Sequence, residues 1–171
     1  LALTNEGLKE ANEKLETLAN TDGLTGLYNH RNFQETLLRE LRLAERDGRS
    51  TSLLLLDLDH FKEFNDRWGH TQGDAELKRV AAALKESIRA TDVAFRYGGE
   101  ELAVLLHSCG KEQARQVAEK IVAAVRAPAL KAGALEGRTT TVSVGVSTYP
   151  EDGHGVKPLV DAADAALYAA K

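Results

Sequence analysis

Along LALTNEGLKEANEKLETLAN, Leu1, Leu8 and Leu15 repeat every seven residues, and Thr4, Ala11 and Leu18 take the second seam position. Polar and charged residues fill the positions between, and good helix formers dominate throughout. The pattern predicts a helical stalk over 1–20. It fits the end of a two-stranded coiled coil, or an amphipathic helix folded back on its own domain. TDGLTGL then supplies turn chemistry, and the helix should stop near Asn20. From Asn29 to about Arg46, Phe33, Leu37, Leu38, Leu41 and Leu43 line an amphipathic helix that Gly48 breaks. Leu53 to Leu56 form an unbroken apolar run closing at Asp57, the pattern of a central strand covered on both faces.

A short helix over 61–68, a turn at GHTQGD and a helix over 74–89 are expected next, the last with Leu77, Val80, Ala81 and Leu84 on one side. VAFRY and ELAVLLH alternate as strands around Gly98-Gly99-Glu100. Paired glycines there predict a hairpin, since tight primed turns need positive φ. A helix over 111–126, a strand within TTTVSVGVSTYP and a helix over 156–171 complete the chain. That order predicts an α/β sandwich with a mixed, mainly antiparallel sheet, one domain over 21–171 behind the stalk.

Composition narrows what such a domain can do. A net charge of -4 argues against a nucleic-acid polymer as partner, so any phosphate must be gripped locally. Cys109 is the single cysteine, which leaves no disulfide framework and no cysteine-rich zinc site. The histidines form no ligand spacing with it. No apolar run approaches the roughly 18 residues of a membrane span, and no signal peptide opens the chain. The start at Leu1 and the lack of methionine suggest a piece of a longer protein: a cytoplasmic domain whose parent could be membrane-anchored.

Acidic residues at strand ends carry the candidate chemistry. Asp57 and Asp59 close the buried strand, and Glu100 and Glu101 sit at the hairpin tip. If the two elements are neighbours in the sheet, Asp57 and Glu100 converge at one edge. Convergent carboxylates with no basic partner between them suit Mg²⁺, a hard cation that takes oxygen ligands. Taken singly, an aspartate after a strand is a turn or cap residue, and Glu100 a solvated hairpin tip. Gly98 and Gly99 would admit a phosphate or ribose close to the backbone, or simply make the turn. Lys62, at a helix start, would meet a phosphate together with free backbone N–H groups, or stand as an exposed lysine.

These residues carry a resemblance. RYGGEEL (Arg96 to Leu102) resembles the signature of the GGDEF family of diguanylate cyclases, in its GGEEF-like form. TDGLTGLYNHRNF, LDLDHFKEFNDRWGHTQGD, TVSVGVS and DAADAALYAAK resemble further blocks of that family in the same order, covering about Thr21 to Lys171. The resemblance implies a nucleotidyl-cyclase-like, palm-like sandwich. It implies that Asp57 and Glu100 bind Mg²⁺ (or Mn²⁺) with the Leu58 carbonyl, and that Glu101 is a further catalytic acid. Phe61 and Lys62 would contact the triphosphate, and His70, Gly98, Gly99 and Lys171 would line the substrate pocket. Asn65 and Asp74 would read guanine, whose Watson–Crick edge offers N–H donors and one carbonyl. Adenine would leave Asp74 without donors, so GTP is favoured over ATP.

The implied reaction joins two GTP into the bacterial second messenger cyclic di-GMP, releasing pyrophosphate, across a homodimer of half-sites. The stalk would then hold the two domains together and link them to an upstream sensory domain. Arg89-Ala90-Thr91-Asp92 forms RxxD five residues before Gly98, where the family carries a product-inhibition site; a helix-end ion pair is the plainer reading. Leu102 replaces the usual Phe and His30 a common Arg. The family also continues past the lysine of YAAK to a phosphate-binding arginine, so a chain ending at Lys171 is expected to turn over poorly. The rivals are a nucleotide sensor without turnover, a structural dimerisation domain, and a cyclase that mixes ATP with GTP.

Overall fold

Strand β1 (Thr51–Leu58) is apolar on both faces and organises everything around it. Leu54, Leu56 and Leu58 enter one core; Leu53 and Leu55 enter another on the opposite face. The computed structural model describes residues 2–127 and 139–171. Within them lie α1 (Ala2–Asn20), α2 (His30–Asp47), α3 (Phe61–Trp68), α4 (His70–Ser87), α5 (Lys111–Arg126) and α6 (Val156–Ala170). The strands β2 (Val93–Arg96), β3 (Glu101–Leu106) and β4 (Val142–Tyr149) join β1 in one sheet of order β2-β3-β1-β4. Every pairing between these strands is antiparallel, and an isolated parallel bridge joins Tyr28 to Phe95.

Helices α4 and α5 cover one face through Leu77, Val80, Leu84, Ile121 and Val125. Helices α2 and α6 cover the other through Phe33, Leu37, Leu41, Leu159, Ala163 and Leu167. Each fully buried leucine contributes on the order of 2 kcal/mol, which is why a strand shielded on both sides reads as an unbroken apolar run. In α2 the buried stripe is Phe33, Leu37, Leu41 and Ala44, while Leu38 is exposed. Leu38 lies one position off the 3.6-residue stripe and points away from the sheet. Asn29 caps α2 by accepting from Asn32 N–H at 3.0 Å, and Gly48 closes it in the left-handed region.

Two local expectations change. GHTQGD is not a turn: Gly69 alone separates α3 from α4, and His70 to Asp74 are the first turn of α4. A glycine at positive φ re-aims the chain in one residue, so no longer connection is needed. The stalk helix α1 leaves Leu8, Leu15 and Leu18 exposed, which removes the folded-back alternative. Leu1 lies outside the described residues. The base of α1 is tied to the domain by Asn29, whose Nδ2 donates to the Ala19 carbonyl at 2.8 Å. No described helix is long and apolar enough to cross a membrane.

Candidate active site

The antiparallel register sets Asp57 opposite Glu101, and Leu58 N–H donates to the Glu100 carbonyl at 3.2 Å. The neighbour relation that convergence required is therefore met, and the three acids share one end of the sheet. The turn that carries Glu100 is gripped from outside. Arg96 donates to the Gly98 carbonyl at 3.2 Å and to the Gly99 carbonyl at 2.8 Å. Its Nη1 pairs with Asp22 Oδ1 at 2.9 Å, and Asp22 Oδ2 in turn accepts from Thr25 N–H and Oγ1. Burial pushes the Asp22 carboxyl up, but the Thr25 and Arg96 hydrogen bonds outweigh it and hold it below its ordinary value.

Neither Gly98 nor Gly99 adopts positive φ, so the reason for glycine here differs from the primed turn expected. A Cβ at Gly98 would stand 2.6 Å from Glu101 Oε2. The missing side chain makes room for the acid.

Asp57 is mostly buried, its side chain 13% exposed, and Lys171 Nζ lies 2.7 Å from its Oδ1. A basic partner thus stands among the acids, where none was expected, and the Lys171 ammonium satisfies the buried Oδ1. Asp57 and then Asp59 and Glu100 hold the Lys171 ammonium above its ordinary value against a burial penalty. Burial pushes the Glu101 carboxyl up, and Asp57, Asp164 and Glu100 add to the shift while Lys171 opposes it. The Tyr97 hydroxyl is raised likewise by burial, then by Glu101, Asp164 and Asp161. Lys171 reaches this place because α6 lies directly on β4 at Gly145, where a Cβ would collide with the Ala163 carbonyl and the Leu167 backbone.

No group of three His, Cys, Asp or Glu side chains stands ready to hold a metal among the described residues. The donor set nevertheless fits a hard divalent cation. Asp57, Glu100 and Glu101 bring carboxylates to one sheet end, and like charges crowd Glu101 in a way a cation would relieve. Asp59 is differently employed. It accepts from Thr141 Oγ1 at 2.6 Å and Ser143 Oγ at 2.7 Å, which latches the end of β1 to β4. A cleft of about 350 Å³ opens beside it, lined by His60, Thr141, Ser143, Ala170 and Lys171.

On α3, Phe61 and Phe64 are buried and stacked with ring centroids 6.3 Å apart, while Lys62 is exposed. Asn65 is half-buried, and its Oδ1 has no hydrogen bond among the described residues. His70 and Asp74 are exposed on the first turn of α4, beside it. At the opposite end of the sheet, Arg89 Nη2 donates to Asp92 Oδ1 at 2.9 Å and to the His107 carbonyl at 2.7 Å. Asp92 is buried, the Arg89 side chain is 58% exposed, and a hollow of about 320 Å³ with Tyr28 and Lys85 in its wall lies against them. The helix-end ion pair is thus present, with half of the guanidinium open.

Sequence reasoning gave no role to Asp22, Arg96, Asp164, Thr141 or Ser143. All five stood in quoted strings, and for the first two, in TDGLTGL and RYGGEEL, opposite charge was the available signal. The others act only through strand pairing or helix docking, which no local pattern reveals.

The family model described as "Diguanylate cyclase, GGDEF domain" matches residues 19–171. Diguanylate cyclase DosC of Escherichia coli is 38% identical over 151 residues, covering 88% of this chain and 32% of its own length. Cyclic di-GMP phosphodiesterase NbdA of Pseudomonas aeruginosa is 37% identical over 172 residues, covering 99% of this chain and 21% of its own. The chain thus spans a third or less of either relative. The crystal structure of the coiled coil and GGDEF domain of DgcB from Caulobacter crescentus, in complex with c-di-GMP, superposes with a TM-score of 0.88 at 34% identity. It covers 98% of this chain and 88% of that one.

Proposed function

The chain belongs to the GGDEF family of diguanylate cyclase domains, and from that premise we propose that it condenses two GTP into cyclic di-GMP. The observation that supports this most is the meeting of Asp57, Glu100 and Glu101 at one sheet end, where like charges raise the Glu101 carboxyl. Asp57, Glu100 and the Leu58 carbonyl hold Mg²⁺ in this reading, with Glu101 beside them. The bound ion would supply charge neutralisation at the phosphates and a lower pKa at the attacking hydroxyl. Lys62 and Lys171 would bind phosphate oxygens. Asn65 and Asp74 read guanine.

The 3′-oxygen of one GTP bonds to the α-phosphorus of the other, the bond to the β-phosphate bridging oxygen breaks, and pyrophosphate leaves. A second such step closes the ring. Each domain holds one GTP, so two copies must face each other, and the exposed leucines of α1 give them a coiled coil to share. Arg89 and Asp92 bind product and inhibit, and Arg89 stays half exposed for that purpose.

Incubating the dimeric protein with GTP and Mg²⁺ should yield cyclic di-GMP and pyrophosphate, and Glu100→Ala should abolish both. No product from a demonstrably dimeric sample would sink the cyclase reading in favour of a nucleotide sensor.

A further inference from the structure

Gly73 is buried in the first turn of α4 and has ordinary helical φ, so no backbone strain calls for glycine there. In a helix, glycine is a poor choice; alanine at the same place would restrict the unfolded chain and favour the helix. Something other than stability must keep it. A Cβ built on Gly73 would fall onto Asn65 Oδ1, well inside van der Waals contact, and would stand 2.8 Å from Asn65 Cγ and 3.3 Å from Phe61 Cζ. The space left by the absent side chain is filled by the amide of Asn65.

That amide has two edges. Its oxygen is buried and accepts from no described residue. It faces the start of α4, where the first N–H groups of the helix lack intrahelical partners and carry partial positive charge. This favours oxygen inward. The nitrogen edge is then the one left for a ligand, and Asp74 follows Gly73 directly, exposed on the same first turn of α4.

We propose that Gly73 is a positioning residue for base selection: by leaving its Cβ position open, it seats Asn65 oxygen-inward and aims the Asn65 Nδ2 donor at the 6-carbonyl of a purine. The inference rests on the reading of Asn65 and Asp74 as the guanine-reading pair. A donor at Nδ2 complements a 6-oxo purine and meets the 6-amino group of adenine donor to donor. Asp74 accepts from the N1–H that 6-oxo purines carry and adenine lacks.

The test is equilibrium binding of GTP, inosine triphosphate and ATP to the wild-type protein, Gly73→Ala, Asn65→Ala and the double variant, with thermal melting of each. Gly73→Ala should weaken GTP and inosine triphosphate in parallel, by about tenfold, because both carry the 6-carbonyl that the displaced amide no longer reaches. ATP binding should stay unchanged, so discrimination shrinks by the same factor. The melting temperature should hold or rise. In the Asn65→Ala background, Gly73→Ala should have no further effect on GTP. Unchanged GTP affinity in Gly73→Ala overturns the proposal. So does a lowered melting temperature with equal loss of all three nucleotides, the mark of a structural glycine. A loss confined to GTP would assign the amide to the 2-amino edge and also overturn it. Wild-type protein that binds no GTP would instead remove the cyclase reading beneath it.

Discussion

At the end of the sheet where β1 begins, Glu40 accepts from Arg49 Nη1 at 2.5 Å and from Thr51 Oγ1 at 3.1 Å, with His107 Nδ1 at 2.8 Å. Ser52 Oγ reaches both the Cys109 carbonyl and Thr148 Oγ1, and Asp92 accepts from Arg89 and from His107 N–H. Where β1 ends, Asp57 Oδ1 is answered by the Lys171 ammonium, Glu101 is crowded by three carboxylates, and Asn65 Oδ1 on the adjoining α3 has no donor among the described residues. The same strand thus runs from a region where polar groups complete one another to one where Asp57 and Asp59 are answered but Glu101 is crowded by like charge and Asn65 Oδ1 has no donor. Buried polar groups are as a rule satisfied, and native exceptions collect where a ligand completes them. The contrast fits a division in which the beginning of β1 serves the fold and its end holds the proposed site.

The largest expected effect comes from breaking the satisfied end. Glu40→Ala would leave Arg49, Thr51 and His107 without their shared acceptor, and the Arg49 and Glu40 side chains are only 18% and 12% exposed. Chemical denaturation should show a loss of about 2–3 kcal/mol, since removing one partner of a mostly buried pair strands the other. The rate of cyclic di-GMP formation per folded molecule should not change. A variant as stable as wild type, or one that is stable but slow, would erase the distinction between the two ends.

How much of this was legible follows from what each residue depends on. The two-faced burial of β1 showed in Leu53–Leu56 because a strand's burial is written in its own run of side chains. Asp57, Glu100 and Asn65 were legible through motif strings, and the Asp57 and Glu100 convergence through the guess that strand and hairpin are neighbours. The Arg96–Asp22 grip on the signature turn was not, because its partners are far apart in sequence and meet only when the segment after α1 docks Tyr28 against β2. The glycines of the turn were read for positive φ, which neither adopts; Gly98 instead leaves room for Glu101, while a Cβ at Gly99 would meet nothing. The start of α4 was missed because GHTQGD is rich in turn formers, and burial of Leu77 in the core overrides that preference.

Acidity separates the ends in sign. At Glu40, burial raises the carboxyl but Arg49 and His107 outweigh it, so the folded value lies below the unfolded one. Its contribution is complete above the ordinary carboxylate range and is lost as pH falls through the lowered folded value; Asp22 behaves the same way. Glu101 is raised by burial and then by its acidic neighbours, so its contribution is greatest below the unfolded value and is lost as pH rises through the folded one. Glu101→Gln should therefore stabilise the metal-free protein at neutral pH, by about 1 kcal/mol or less after solvent screening, and leave the acid limb unchanged. Melting curves between pH 3 and 8 read this. Added Mg²⁺ should raise the wild-type melting temperature more than that of the variant. A Glu101→Gln protein less stable than wild type at neutral pH would mean that the site end is as self-satisfied as the other.

Arg89 gives the smallest change in stability and the sharpest test of the boundary. It sits at the satisfied end, bonded to Asp92 and to the His107 carbonyl, yet its side chain is 58% exposed while that of Asp92 is 1% exposed. Asp92 keeps the His107 N–H and the Arg89 backbone N–H as donors whatever the guanidinium does. Arg89→Ala should therefore cost under about 0.5 kcal/mol, as exposed ion pairs do. Inhibition by cyclic di-GMP should be lost in the same variant, because a guanidinium that turns away from Asp92 towards a phosphate or guanine has no substitute there among the described residues other than Lys85 across the hollow. If inhibition survives, Arg89 is purely a helix-end ion pair. If instead stability falls by several times that amount, the guanidinium is too firmly held to serve a ligand, and the product must act elsewhere.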